Sequence, residues 1–122
     1  MGTYKDLDVF KRSYKLAIEM HQFSLKLPKT FQYDLSDQIR RASRSIPSNI
    51  AEGYSRNKSF KDKVNFLNTA LGSNEEVLFN LDFIKDSDMV DNKDIDKFRQ
   101  EYVICGKQLN NLIKSLKPAN EN

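Results

Sequence analysis

Apolar residues recur at steps of three and four along nearly the whole chain, the spacing that puts side chains on one face of an α-helix. Four stripes result. Leu7, Phe10, Tyr14, Ala17, Ile18, His21 and Leu25 form the first, which ends at Pro28. Leu35, Ile39, Ala42, Ile46, Ile50 and Gly53 form the second. The third holds Phe60, Val64, Leu67, Ala70 and Leu71, then Val77, Leu78, Leu81 and Ile84. The fourth runs through Ile95, Phe98, Tyr102, Cys105, Leu109, Leu112, Ile113 and Leu116, before Pro118. Turned inward, the stripes predict helices over approximately residues 6–27, 35–56, 59–85 and 92–116. Phe79 and Phe83 lie off the third stripe, as interface anchors or as extra core packing.

Start signals agree with these divisions. Ser59 followed by Asp62 has the form of a capping box. Asp34 and Asp91 suit N-cap positions, each followed by an Asp (Asp37, Asp94) near the positive end of its helix dipole. The connections at about residues 28–34, 56–59 and 86–91 are short, so neighbouring helices run antiparallel. The expected fold is an all-α, up-down-up-down four-helix bundle in a single domain over residues 1–122. With 4 Gly and 3 Pro in 122 residues, turns are scarce and the elements long. The only low-complexity stretch is the polar tail PANEN.

The run SIPSNIAEG, Ser45 to Gly53, interrupts this regularity with Pro47. A proline inside a helix loses one backbone hydrogen bond at a cost of about 3 kcal/mol. Were Pro47 a helix start, Ile46 would be the N-cap, a poor one. The second stripe also continues in phase across the proline. The favoured reading is one helix with a bend that wraps the core; the alternative is a backbone irregularity at a ligand or subunit contact. Ser43 loses its carbonyl's partner, and the hydroxyls of Ser45 and Ser48 lie near the freed groups. Asn49, near the inward stripe, would fix helix register, and Gly53 would permit close backbone approach.

Candidate chemistry is sparse. The glycines at 2, 53, 72 and 106 form neither phosphate-binding loop, GxGxxG or GxxxxGK. One His and one Cys fall short of a zinc site. Glu75 and Glu76 are adjacent and diverge on a helix, and Asp86 and Asp88 fall in a connection, so neither pair forms a di-iron arrangement. His21 and Cys105 both read as packing residues on inward stripes. The expectation is a non-enzyme with no cofactor and no metal. A single cysteine fits a reducing compartment. With no apolar leader and no window of about 18 apolar residues, a cytoplasmic location away from membranes is expected.

Charge changes the picture through its distribution. The net charge is only +3. From Arg40 to Lys63, however, seven bases face two acids, a net +5. From Glu75 to Glu101 nine acids face four bases, a net −5. Arg40, Arg41 and Arg44 are spaced to project from one side of the second helix, opposite Ile39, Ala42 and Ile46. Arg56, Lys58, Lys61 and Lys63 follow. Such a patch suits phosphates of structured RNA or DNA, with Tyr54 and Phe60 as faces for unpaired bases. The bland alternative is a solvated face with Glu52–Arg56 and Asp62 ion pairs; an acidic protein surface is a second candidate partner. The polarity also suits head-to-tail docking of copies into a ring.

Two runs are specific: DLSDQIRRASRSIPSNIAEGYSR and FLNTALGSNEEV. In them Leu35, Gln38, Ile39, Arg40, Arg41 and Ala42 precede Ser45, Ile46, Asn49, Ile50, Ala51, Glu52 and Gly53. Arg56 follows, then Ala70, Gly72, Ser73 and Glu76. This pattern resembles that of the 23S rRNA intervening-sequence proteins, a family similar to the accessory protein of diversity-generating retroelements. The opening DLDVFKRSYKLA also resembles the family's first helix, with Phe10 where tryptophan is common. Asn74 stands where a leucine usually follows the Gly-Ser. The resemblance implies an antiparallel four-helix bundle assembled into a ring, a homopentamer, with one continuous helix through Pro47. It also implies a family encoded within insertions in large-subunit rRNA genes, whose retroelement relatives bind a reverse transcriptase and nucleic acid.

Overall fold

The computed structural model describes residues 3–88 and 90–116, so the expected stop at Pro118 and the tail PANEN lie outside the described residues. These residues form four α-helices and no strand. The helices are α1 (Asp8–Ser24), α2 (Leu35–Gly53), α3 (Phe60–Ser87) and α4 (Asn92–Ser115), with single 3-10 turns at Tyr4–Asp6 and Lys29–Phe31. Consecutive helices pack together, and α1 also meets α4. Met20, Ile39, Ile46, Ile50, Leu67, Leu81, Ile84, Ile95, Tyr102 and Leu109 are fully buried between them. No helix among the described residues is long and apolar enough to cross a membrane.

Local chemistry sets the helix ends. Ser59 Oγ accepts from the Asp62 amide at 3.0 Å, Asp91 Oδ1 from Lys93 at 2.9 Å, and Asp34 from Leu35. Each satisfies a donor that the first helical turn leaves free. α1 stops at Ser24, short of the expected residue 27. There Gln32 Nε2 donates to the carbonyl of Ser24 (3.1 Å), which also takes the Leu27 amide, and to the carbonyl of Leu27 (2.8 Å), just past the helix end. α2 runs unbroken through Pro47, which is buried. α3 extends to Ser87 and is closed by Asp88 in the left-handed conformation, φ 57°.

The first stripe is corrected by the structure. The buried face of α1 is Val9, Ser13, Leu16, Ala17, Met20 and Ser24, and only Ala17 belongs to the expected set. Tyr14 and Ile18 are 55 % and 49 % exposed, and Leu25 and His21 are exposed as well. The cause is two serines that are polar by letter and satisfied within the helix. Ser13 Oγ donates to the Phe10 carbonyl and Ser24 Oγ to that of His21. Burial of these hydroxyls carries no unpaired-group penalty, so the serine face can point inward and the aromatic face outward. His21 is therefore not a core residue. Phe79 and Phe83, at 67 % and 53 % exposed, are likewise not core packing.

Candidate nucleic-acid interface

Seven bases define the candidate surface, and the structure divides them between two places. The first is the flank of α2. Arg40 is half-buried, and its Nη1 donates to Ser24 Oγ at 2.9 Å, tying α2 to the end of α1. This arginine is spent partly on packing, not presented freely beside its neighbours. Arg41 is exposed and pairs with Asp37 one turn earlier at 3.3 Å, a solvated contact worth about 0.3–0.5 kcal/mol. Arg44 is exposed and has no ion pair among the described residues.

The second place is the α2–α3 connection. The chain reverses at Asn57, in the left-handed region at φ 64°, and Lys58 returns to Glu52 at 3.2 Å. That pair replaces the expected Glu52–Arg56 contact, and no Asp62 ion pair forms among the described residues. Lys58 Nζ also lies 4.9 Å from the Phe66 ring centre, and Lys63 Nζ lies 4.4 Å from that of Tyr54. Each cation rests on an aromatic face, worth about 0.5–1 kcal/mol near the surface. Tyr54 is half-buried and burial raises its phenol pKa. Arg56 and Lys61 are exposed and unpaired among the described residues. Phe60 remains partly exposed beside them.

The motif around Pro47 is structural in its contacts. Asn49 Nδ2 donates to the carbonyl (2.8 Å) and hydroxyl (2.9 Å) of Ser45, on its own helix. Ser45 Oγ in turn lies 2.8 Å from Ser73 Oγ of α3. The interhelical link thus runs through two serines, with Asn49 holding one of them, which spacing alone does not reveal. Gly53 is buried, and a methyl group there would lie 3.2 Å from Phe66 Cβ and 3.5 Å from the Lys63 carbonyl oxygen. Glycine lets the end of α2 approach the start of α3 this closely, as expected.

Two features were not legible as sites. One is a groove of about 540 Å³ between α1 and α2, lined by Phe10, Tyr14, Ile18 and His21 on one side and Arg44, Pro47 and Ala51 on the other. Its signal was the aromatic stripe of α1, read on the wrong face. The other is the arrangement of the acidic half: Arg99 binds Asp82 at 2.8 Å and Lys85 binds Asp96 at 2.7 Å, linking α3 to α4. The Arg99 hydrogen bond holds the Asp82 carboxyl below its usual range. No cluster of His, Cys, Asp and Glu able to hold a metal occurs among the described residues. Cys105 is buried, and burial pushes its thiol up to about 12, so it stays protonated and unreactive at neutral pH.

No curated protein matches the chain. A solved structure of a protein with unknown function from the S23 ribosomal protein family of Bacteroides thetaiotaomicron superposes with a TM-score of 0.76 at 23 % identity. The match covers 88 % of this chain and 96 % of that one, and it establishes a common fold. A family model described as 23S rRNA-intervening sequence protein matches residues 5–111. With four helices, the QIRRA and SIPSNIAEG runs on α2 and that match over most of its length, the chain belongs to the 23S rRNA-intervening sequence protein family.

Proposed function

We propose that this chain is a non-enzymatic, single-domain cytoplasmic protein that binds structured RNA or DNA electrostatically. The surface is the outer side of α2 and the start of α3. One observation carries the reading: Arg56 and Lys61, which lie outside the α1–α2 groove, are exposed with no carboxylate partner among the described residues. Arg41, Lys58 and Lys63 border them with contacts weak enough to exchange for phosphate. The reading includes an up-down-up-down topology, which the order of contacts between α3 and α4 supports. Asn74 meets Tyr102, Asp82 meets Arg99 and Lys85 meets Asp96, so later α3 residues meet earlier α4 residues. Assembly into a ring, five-membered by the family resemblance, would repeat the surface around an axis.

The test is a titration of fluorescently labelled structured RNA against nuclease-treated protein at several salt concentrations. Two phosphate contacts give log K against log salt a slope of about −1.5 to −2. Absence of binding at about 50 mM salt, where counterion release favours it most, overturns the reading. A second reading, a scaffold or accessory factor for a nucleic-acid-handling enzyme such as a reverse transcriptase, is favoured by the apolar α1–α2 groove. A partner retained in pull-down after nuclease treatment would support it.

A further inference from the structure

The groove and the Phe79–Phe83 pair are two apolar surfaces that the fold leaves open among the described residues, and they differ in charge in complementary ways. Phe79 and Phe83 stand one turn apart on α3 and form a ridge. Glu75, Glu76, Asp82 and Asp86 flank it at helical spacing, and Glu75, Glu76 and Asp86 have no ion pair among the described residues. The groove offers Phe10, Tyr14, Ile18 and Pro47 as apolar walls and Arg44 at its rim, with no carboxylate in its lining. An apolar centre with an acidic rim thus faces an apolar centre with a basic rim.

A chain cannot satisfy both surfaces by itself. α3 already commits Leu67, Asn74, Val77 and Leu81 to the core, which leaves Phe79 and Phe83 directed outward. From this we infer that the α3 ridge of one copy seats in the α1–α2 groove of the next, with Arg44 facing the partner's acidic flank. The inference rests on the ring reading above and specifies its contact. Because ridge and groove are different surfaces, the contact is heterologous: each copy offers one free ridge and one free groove, and closure of the series gives a ring. The aromatic pair at the centre, with charges around it, is the arrangement that concentrates binding energy at an interface.

Two variants and their mixture test this. Phe79→Glu/Phe83→Glu removes the ridge, and Ile18→Glu/Arg44→Glu removes the groove; each keeps the other surface intact. Each variant alone should run as a monomer in light scattering, with self-association weakened at least about a hundredfold. Mixed at equal amounts, they should form a one-to-one dimer and nothing larger, because only one productive contact is possible. Variants that assemble like the wild type overturn the contact and leave the ring reading standing. Monomeric variants whose mixture stays monomeric also overturn it, because ridge and groove then bind something other than each other. A wild type that is monomeric at about 100 µM, where micromolar contacts are populated, overturns both readings. Circular dichroism checks the fold, and if either variant loses helix, Phe79→Ser/Phe83→Ser and Ile18→Ser give the same mixing readout.

Discussion

Asn74 of α3 donates through Nδ2 to the main-chain carbonyl of Tyr102 on α4 at 2.9 Å, and Gly106 one turn further leaves the room for it. Both residues are fully buried or nearly so, and a methyl group at 106 would lie 3.0 Å from that nitrogen. Gly106→Ala should therefore destabilise the protein by about 1–2 kcal/mol through a displaced buried amide. In an Asn74→Ala background the obstruction is gone. There the same change should stabilise by about 0.5–1 kcal/mol, the helical preference of alanine over glycine. Urea unfolding of the four proteins reads the change of sign.

Gly53 and Gly72 should separate in the same assay. Phe66 Cβ, 3.2 Å from a methyl at 53, is fixed to the α3 backbone and cannot rotate away. Gly53→Ala should cost about 1–3 kcal/mol, the usual scale of overpacking. Gly72 has nothing within 4 Å of such a methyl and sits exposed in mid-helix, so Gly72→Ala should gain about 0.5–1 kcal/mol.

Arg56 and Lys61 provide the cleanest test of phosphate contact, because they lie outside the groove and carry no structural bond among the described residues. Arg56→Ala/Lys61→Ala should weaken RNA binding about tenfold or more at low salt and flatten the salt slope by about 2. Thermal midpoints should stay within a few degrees. Arg40→Ala should instead lower the midpoint measurably, since it breaks the bond to Ser24.

The buried thiol predicts how stability depends on alkaline pH. Cys105 is raised from 9.0 to about 12 by burial, and Tyr102 is raised by the same cause. Above pH 9 the unfolded chain releases the thiol proton while the folded chain keeps it, so stability present below pH 9 is lost as pH rises toward 12. A decline of about 1–3 kcal/mol by pH 11 is expected from the thiol alone. Cys105→Ser is smaller and more polar, so it lowers stability throughout while removing part of this alkaline slope. Denaturant unfolding across pH 8–11 measures both.

Legibility followed the chemistry of single residues. Three helices were readable because enough of their inward positions, such as Ile39, Ile46, Leu67, Leu81, Ile95 and Leu109, are aliphatic residues whose burial depends on little besides area, although Ser36, Ser43, Asn74 and Asn80 are buried beside them. The first was misread by rotation, because Ser13 and Ser24 look polar until their hydroxyls are seen to bond their own helix. The basic residues were findable by composition. Their division was not: Arg40 turns inward to a serine on another helix, and Lys58 reaches Glu52 only because Asn57 reverses the chain. Contacts of this kind join residues whose pairing no period encodes.

The two apolar faces of α1 have one more consequence. Hydrophobic burial is non-directional, so by area alone this helix could dock with Leu16 and Met20 inward, or with Tyr14 and Ile18 inward. What distinguishes the rotations is polar: Arg12 reaches Glu101 and Gln108 on α4, and Arg40 holds Ser24. Arg12→Ala/Arg40→Ala should keep its helix content and broaden the methyl resonances of Leu16 and Met20, as the alternative rotation becomes populated. A few charged side chains at the surface thus act as a compass for the helix, choosing which of two competing interiors the molecule has.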